Sequence, residues 1–363
     1  MSTPSVWGYR KCISCAAALV AGFAACGSDA GKTGWEGRPV DAGRIELDLD
    51  GAYPTADPDP EGGTRAGPTF DAGEGGAVFT CIGKKASSGD SAITLQSGGL
   101  ARTFYVHVPP SYDPTRGAML VLNFHGFTNA ALIQKVISRM DASADAHGYI
   151  AVYPEGVATS WNAGDCCGTA WNNAVDDVAF VKTMLTRLES DWCVDPKRMF
   201  ATGYSNGGFL SYRLACEMAD AFAAIAPVAG EMGIDATKCK PSRPVPVLDF
   251  HGTSDPIVPY NGGVPLVQTG MGLINFRSTA ETISVWRDKD GCLGAGKVIY
   301  QQGDTTCTRY DTCKMGSEVV HCKIDGGGHT WPGGVPVPLV GKTSTDISAT
   351  ETMVKFFEAH PLP

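Results

Sequence analysis

The stretch Met199-Phe-Ala-Thr-Gly-Tyr-Ser-Asn-Gly-Gly208 decides the fold. A short apolar run that can form a buried strand ends at Thr202, and the pattern G-x-S-x-G follows it. The residues after Gly208 are typical of a helix. A strand, a tight turn and a helix in this order hold the serine on a strained bend, with its hydroxyl exposed above a sheet. The glycines are needed because side chains there would collide with the neighbouring elements. The sequence therefore predicts that Ser205 is a nucleophile, provided that its partners follow further along the chain.

The elements around this turn alternate between strands and helices. The continuous apolar runs at 118–124 and 245–251 are typical of strands that are buried on both faces of a parallel sheet. Apolar residues at helical spacing predict helices over 176–189 and 346–358. The sequence therefore predicts an α/β fold, with a mostly parallel central sheet and helices on both of its faces.

A serine hydroxyl becomes a good nucleophile when a base removes its proton and a carboxylate orients that base. His329 lies in a glycine-rich loop after the last predicted strand, and three glycines leave the backbone free to present the imidazole. Asp255 follows the strand that ends at His251, at the sheet edge where open α/β folds bind ligands. We therefore predict a Ser205–Asp255–His329 triad. Glu231 is a rival candidate for the acid. The structural alternatives are that His329 is only a surface residue of its loop and that Asp255 only stabilises a turn.

Acyl transfer also needs N–H donors for the oxyanion of the tetrahedral intermediate. The backbone N–H of Asn206, directly after the nucleophile, is one candidate. The other is the N–H of Phe127, in the loop that follows the early strand 118–124. A structural turn would explain the His125-Gly126 pair equally well, but beside a triad we prefer the functional interpretation.

The N-terminal segment is typical of an exported protein. A basic pair precedes an apolar stretch too short to span a bilayer, so residues 1–26 are predicted to be a signal peptide. This stretch ends in Phe-Ala-Ala-Cys26, which resembles a bacterial lipobox with Cys26 as the lipidated residue. Ordinary cleavage nearby and a buried N-terminal helix are the alternatives. Residues 27–78, rich in Gly, Asp and Pro, are predicted to be a flexible tether, and residues 79–363 the catalytic domain.

The cysteines agree with export. The chain has 363 residues and 13 cysteines, of which ten follow the predicted tether. An even set in an exported chain favours disulfides over zinc, because no C-x-x-C pair is present. Cys216 and Cys239 are the predicted pair, and Cys193 is expected to pair with Cys166 or Cys167. The last four cysteines leave three connectivities open. The formal net charge of −9 argues against a nucleic-acid partner.

Four motifs together carry a family resemblance. His125-Gly-Phe, Gly203-Tyr-Ser-Asn-Gly, His251-Gly-Thr-Ser-Asp-Pro and Gly326-Gly-Gly-His-Thr-Trp-Pro-Gly are similar to the secreted esterases that include polyhydroxybutyrate depolymerases, feruloyl esterases and acetylxylan esterases. The resemblance implies an α/β-hydrolase fold, the triad named above and no cofactor, and the cysteine spacing predicts no metal site. It also implies that the segment 161–168 borders the active site. No segment resembles the polymer-binding module of extracellular depolymerases, which favours the esterases.

The sequence thus predicts an exported serine esterase that works through an acyl-enzyme. The resemblance implies feruloyl or acetyl esters of plant polysaccharide as its substrates. Short hydroxyalkanoate esters are the alternative substrate class, and a peptidase or a non-catalytic surface module on the same fold are the alternatives in function. Any membrane association would come through a lipid on Cys26. The sequence does not indicate the oligomeric state.

Three tryptophans are candidates for binding the acyl group. Trp161 and Trp171 lie in the long loop before the nucleophile, and Trp331 lies two residues after His329. If the sheet brings these loops together, the three side chains form an aromatic wall beside Ser205. The alternative is that they pack in the core beneath their loops, as large aromatic residues commonly do.

Overall fold

The computed structural model describes residues 80–265 and 274–363. The predicted signal peptide, the predicted tether and Cys26 lie outside these residues. No helix in the described ranges is long and apolar enough to cross a membrane.

The described residues form a single ten-stranded sheet. Its strands are β1 Gly89–Ser97, β2 Leu100–Val108, β3 Ala118–Phe124, β4 Ile150–Pro154, β5 Val194–Tyr204, β6 Ala224–Val228, β7 Val247–Gly252, β8 Lys297–Gln302, β9 Thr305–Tyr310 and β10 Val319–Ile324.

Seven α-helices connect or follow these strands in the described ranges. They are α1 Ala131–Ser138, α2 Met140–His147, α3 Gly168–Asn172, α4 Asp177–Asp191, α5 Asn206–Glu217, α6 Thr279–Asp290 and α7 Ala349–Ala359. Two short 3-10 helices, Lys314–Gly316 and Pro338–Val340, lie in loops.

The sheet has a parallel centre and antiparallel edges. The strand order is β1-β2-β4-β3-β5-β6-β7-β10-β9-β8. Strands β4, β3, β5, β6, β7 and β10 run parallel to one another, and β1-β2 and β9-β8 are antiparallel additions at the two edges. Because parallel strands end at the same edge, the loops after β3, β5, β6, β7 and β10 meet there.

The core lies on both faces of the sheet, as the continuous apolar runs predict. Strand β3 is buried along its whole length, and its side chains alternate between two clusters. Leu120, Leu122 and Phe124 pack with residues of α4, α5 and α6. Met119 and Val121 pack on the other face with residues of α1, α2 and α7. The predicted α/β-hydrolase architecture is confirmed.

All ten cysteines of the described ranges form disulfides. The predicted Cys216–Cys239 bond is present. Among the last four cysteines the connectivity is Cys292–Cys313 and Cys307–Cys322.

The predicted pairing of Cys193 is wrong. Cys193 bonds to Cys81, and Cys166 bonds to its neighbour Cys167. The reason is distance along the sheet, because Cys193 precedes β5 while the 166–167 pair lies in the loop beside the far end of that strand. Helix α4, which connects the two regions, has 15 residues and is therefore about 22 Å long.

Candidate active site

Ser205 lies at the turn between β5 and α5, at the carboxyl edge of the sheet. Its backbone has φ 55° and ψ −120°, a region that residues other than glycine seldom adopt. Glycine is required on either side, because a Cβ on Gly203 would collide with Gly207 and a Cβ on Gly207 would collide with the carbonyl of Phe124. This close packing of β3, β5 and α5 forces the strained turn that the motif predicts.

His329 and Asp255 lie in direct contact at the same edge. His329 Nδ1 lies 2.6 Å from Asp255 Oδ2, and both side chains are buried. The other oxygen of Asp255 accepts the backbone N–H groups of Ile257 and Val258, both at 2.8 Å. Burial opposes the charged carboxylate, but His329 and His251 outweigh it and hold the pKa of Asp255 well below its usual range. Asp255 is therefore ionised and can orient the imidazole.

The strand that carries the serine also holds the histidine loop. The hydroxyl of Tyr204 donates to the backbone carbonyl of His329, and the two rings lie 4.9 Å apart. The N–H of His329 donates to Val340 O at 2.8 Å. The hydroxyl of Ser205 makes no hydrogen bond to any described residue. Catalytic hydrogen bonds are commonly long without substrate and shorten when it binds.

Glu231, the rival for the acid, contacts a different histidine. Its Oε1 lies 3.2 Å from Nδ1 of His251 and accepts a hydrogen bond from Thr279. Among the described carboxylates, Asp255 is the one that hydrogen-bonds His329. The geometry therefore favours Asp255 as the acid.

Two backbone N–H groups are available beside the serine. Neither Phe127 nor Asn206 donates its N–H to an acceptor among the described residues. The loop that carries Phe127 lies against the nucleophile, since a Cβ added to Gly126 would lie 3.3 Å from Ser205 Cβ. Asn206 is the first residue of α5, so its N–H has no partner within the helix. Both groups can serve as oxyanion donors.

His125 fixes this loop, a role that sequence reasoning did not assign. Its Nδ1 donates to Gly126 O at 2.8 Å, and its Nε2 accepts the N–H of Gly156 at 2.9 Å. Burial lowers the pKa of His125 to about 4, so the ring is neutral and can keep both bonds. Because C=O and N–H point in opposite directions across a trans peptide, holding Gly126 O also sets the direction of the Phe127 N–H.

The prediction of an aromatic wall is wrong for Trp161 and Trp331. Their exposed fractions are 0% and 1%, so both belong to the core and do not face the substrate. Trp331 donates its indole N–H to Thr350. Trp171 is 45% exposed, and its contact with substrate stays a prediction. The physical reason is that the indole N–H groups find buried acceptors beneath their loops, which favours core packing.

Trp161 instead connects the two sides of the site. Its indole N–H donates to His125 O at 2.9 Å, and its backbone forms two hydrogen bonds with the side chain of Asn206, at 2.7 and 3.2 Å. The loop is anchored further by a buried ion pair of Arg102 with Asp177, whose other oxygen accepts Asn162 N–H. The segment 161–168 therefore borders the nucleophile, as the resemblance implies.

One group with the composition of a metal site occurs in the described ranges. Ligand atoms of Asp90, His107 and Asp141 lie within 4.8 Å of one another. The ammonium of Lys135 already contacts both carboxylates, at 2.7 and 2.6 Å, so the charge of this group is balanced by a side chain. The group lies around β1, β2 and α2, and none of its residues belongs to the loops that carry the serine, the histidine or the acid.

Comparison with known proteins supports the same chemistry. The chain is 35% identical over 235 residues to feruloyl esterase B of Piromyces equi, covering 63% of this chain and 42% of that protein. It is 31% identical to the putative esterase NocK of Nocardia uniformis subsp. tsuyamanensis, covering 77% of this chain and 86% of that protein. The chain thus spans less than half of the first relative and most of the second. No family model matches the chain.

A solved structure supports the fold. An acetyl xylan esterase from Aspergillus awamori superposes with a TM-score of 0.52 at 15% identity, covering 74% of this chain and 99% of that one. An identity this low is evidence for the fold alone, whereas the Nocardia relative is similar along most of its length. Together with the serine turn and the adjacent histidine–aspartate pair, these matches place the chain in the family of serine carboxylic-ester hydrolases with the α/β-hydrolase fold.

Proposed function

We propose that Ser205, His329 and Asp255 form the catalytic triad of an esterase that works through an acyl-enzyme. The observation that carries the proposal is the 2.6 Å contact between His329 and Asp255 at the sheet edge that also holds the strained Ser205 turn. A carboxylate on Nδ1 places the hydrogen of the imidazole there and leaves Nε2 free to accept a proton.

The reaction follows from these groups. His329 Nε2 takes the proton of Ser205 as the hydroxyl attacks the ester carbonyl, and Asp255 stabilises the imidazolium that forms. The N–H groups of Phe127 and Asn206 donate to the developing oxyanion. The imidazolium then protonates the leaving alcohol, and water hydrolyses the acyl-enzyme by the reverse proton transfers.

The proposed substrates are feruloyl or acetyl esters on plant polysaccharide. The support is the 35% identity to a feruloyl esterase over 235 residues and the resemblance carried by the four motifs. Trp171, exposed in the short helix α3 that follows the 161–167 segment, is the proposed aromatic contact for a feruloyl ring. Because Trp161 and Trp331 are buried, the site offers less aromatic surface than the sequence predicts.

A fluorophosphonate probe and a panel of esters test this proposal. The probe should label wild type on Ser205, and Ser205→Ala should lose labelling and at least about 10³-fold of ester hydrolysis. Ser254→Ala is the matched control, because Ser254 is exposed in the neighbouring acid loop and should leave both readouts unchanged. An unlabelled wild type that cleaves no ester would identify a non-catalytic module.

The panel separates the substrate classes. Methyl ferulate, an acetylated xylan oligosaccharide, a hydroxybutyrate oligomer and an amide of ferulic acid are compared by kcat/KM. We expect the first two to be the best substrates. A preference for the hydroxybutyrate oligomer would instead support the depolymerase alternative, and cleavage of the amide would support a peptidase.

We propose further that the protein works outside the cytoplasm, anchored by a lipid on Cys26. The five disulfides support an oxidising compartment. The anchor rests on the lipobox-like sequence before Cys26. Radiolabelled palmitate should enter wild type and the Cys15→Ser control but not Cys26→Ser, and labelling of Cys26→Ser would refute the anchor.

A further inference from the structure

A second histidine, besides His329, contacts the acid Asp255. His251, near the end of β7, has a fully buried side chain. Its Nε2 lies 2.8 Å from Val258 O and 3.4 Å from Asp255 Oδ2, the same oxygen that contacts His329. One carboxylate oxygen is therefore in contact with two imidazoles.

The protonation of His251 follows from its partners. A carbonyl oxygen can only accept, so Nε2 carries a hydrogen towards Val258 O. On the other side of the ring, Nδ1 faces Glu231 Oε1 at 3.2 Å, and both side chains are buried. A carboxylate and a bare ring nitrogen would repel each other at this distance. At least one further proton is therefore held by the Glu231–His251 pair.

Charges around the ring favour its cationic form. Burial opposes the imidazolium, but Asp255, Glu231 and Asp249 outweigh it and raise the pKa of His251 to about 10. Burial raises the pKa of Glu231 to about 8, although His251 opposes this. The other titratable groups that face His251 are Tyr260, whose ring lies 5.8 Å away, and His329 beyond Asp255.

We propose that His251 is a positioning residue for Asp255, the acid of the triad. Glu231 holds the ring of His251, and Asp255 Oδ2 contacts both His251 and His329. This inference rests on the proposed function. His251 joins the carbonyl of Val258 to Asp255 Oδ2, so it fixes both the acid and the backbone turn whose N–H groups bind Oδ1. Its imidazolium also places a positive charge beside the carboxylate, which offsets part of the negative charge that Asp255 presents to His329.

The pH dependence distinguishes this role from simple packing. The acid limb of kcat/KM reports the pKa of the free enzyme's essential base, which is His329. His251→Gln removes the positive charge of the His251 imidazolium beside Asp255 and keeps an N–H donor near the position of Nε2. His251 Nε2 and His329 Nδ1 contact the same Asp255 oxygen, at 3.4 and 2.6 Å. For charges this close and an effective dielectric constant near 20, the acid limb should move upward by roughly one pH unit or more.

The experiment compares three variants of the full chain on p-nitrophenyl acetate, with active sites counted by fluorophosphonate titration. His251→Gln should show the upward shift and keep kcat on its plateau within about tenfold. His251→Leu, which removes the donor, should lower kcat per active site by about 100-fold with KM changed little, as expected for a displaced acid. His321→Gln is the matched control, because His321 lies on the neighbouring strand β10 and contacts Asp249 and the Tyr260 hydroxyl instead of Asp255.

The outcomes are separable. An inactive, unlabelled wild type would refute the proposed function. An active wild type whose acid limb coincides with that of His251→Gln would leave the function standing and overturn the role of His251. The same conclusion would follow if His251→Leu lost active sites and thermal stability but kept its kcat per site. Since His251→Gln keeps a donor, it tests the inference even if His251→Leu does not fold.

Discussion

Replacement of Asp255 by asparagine tests the triad most directly. The variant removes one charge and exchanges one oxygen for an NH₂ group. In the wild type, Oδ1 accepts two backbone N–H groups, from Ile257 and Val258, and Oδ2 faces His329. The single amide oxygen of asparagine can occupy the position of Oδ1 or that of Oδ2, and these two positions have different hydrogen-bond partners.

The two N–H donors decide how the amide lies. If the NH₂ group occupied the Oδ1 position, the N–H groups of Ile257 and Val258 would lose their acceptor, which costs about 1–3 kcal/mol for each buried donor. The preference for oxygen on that side is therefore about 2–6 kcal/mol. The NH₂ group then faces His329 Nδ1, which must accept, so the imidazole hydrogen moves to Nε2. A ring in this tautomer cannot take the proton of Ser205.

We therefore expect Asp255→Asn to lower kcat on the order of 10⁴-fold while leaving KM near its wild-type value. The assay is hydrolysis of p-nitrophenyl acetate, normalised to folded protein by thermal melting. Asp325→Asn is the matched control, since Asp325 is exposed on the histidine loop and pairs with Lys323. A kcat for Asp255→Asn within tenfold of wild type would refute the assignment of the acid and of the tautomer.

Three further predictions concern the architecture around the site. Trp331→Ala should lower the free energy of unfolding by about 3–5 kcal/mol, and should change kcat/KM per folded molecule equally for feruloyl and acetyl esters. A loss of kcat/KM confined to feruloyl esters would instead show that Trp331 contacts the acyl group. Gly207→Ala should destabilise the fold by at least about 1–3 kcal/mol, because its Cβ meets the Phe124 carbonyl, and Gly208→Ala, whose nearest contacts are at 3.2 Å, should cost less in the same denaturant titration. Burial raises the pKa of Glu231 from 4.5 to about 8 in the folded state, so the folded protein binds this proton more tightly than the unfolded chain and stability falls as pH rises between these values. The melting temperature of Glu231→Gln, which cannot titrate at this position, should therefore fall less than that of wild type from pH 5 to 8. Equal losses would contradict the raised pKa.

Much of the site could be predicted because local sequence dictates it. The Ser205 turn needs glycine on both sides, and such a turn has few alternatives once a buried strand precedes it. Asp255 follows a strand whose neighbours are parallel, so it had to end at the same edge as Ser205. The sequence leaves Glu231 open as a rival to Asp255, since both residues follow strands that end at that edge. Which carboxylate reaches His329 is set by tertiary contacts, and the structure shows that it is Asp255.

The elements that sequence missed are those with little buried surface. Strand β1 buries one residue, Ile93, and β8 buries none, so neither carries the apolar alternation that identifies a strand. Helix α1 exposes Leu132 and Val136, which obscures its apolar face. Pairing with a neighbouring strand, rather than burial, defines both edge strands, and that pairing is set by tertiary contacts.

The tryptophans show how a correct location can accompany a wrong role. Trp161 does lie beside the nucleophile, as its loop position predicts, but its side chain points into the core. Its indole N–H needs an acceptor once buried, and His125 O supplies one at 2.9 Å. Residue type and loop position give the neighbourhood of a side chain. The direction in which it points depends on which buried acceptors lie nearby, and these come from other parts of the chain.

The polar residues of β7 carry a signal that sequence reasoning left unused. Asp249 and His251 alternate with Leu248 and Phe250 in a strand that is buried along its whole length, so the two polar side chains share one face. Buried polar groups require partners, so this spacing alone predicts a polar network beneath the acid loop. It does not predict Glu231 as a partner, because that residue comes from the loop after β6. The strand that presents the acid thus also carries the residue that holds it, which makes the position of Asp255 depend on β7 as much as on its own turn.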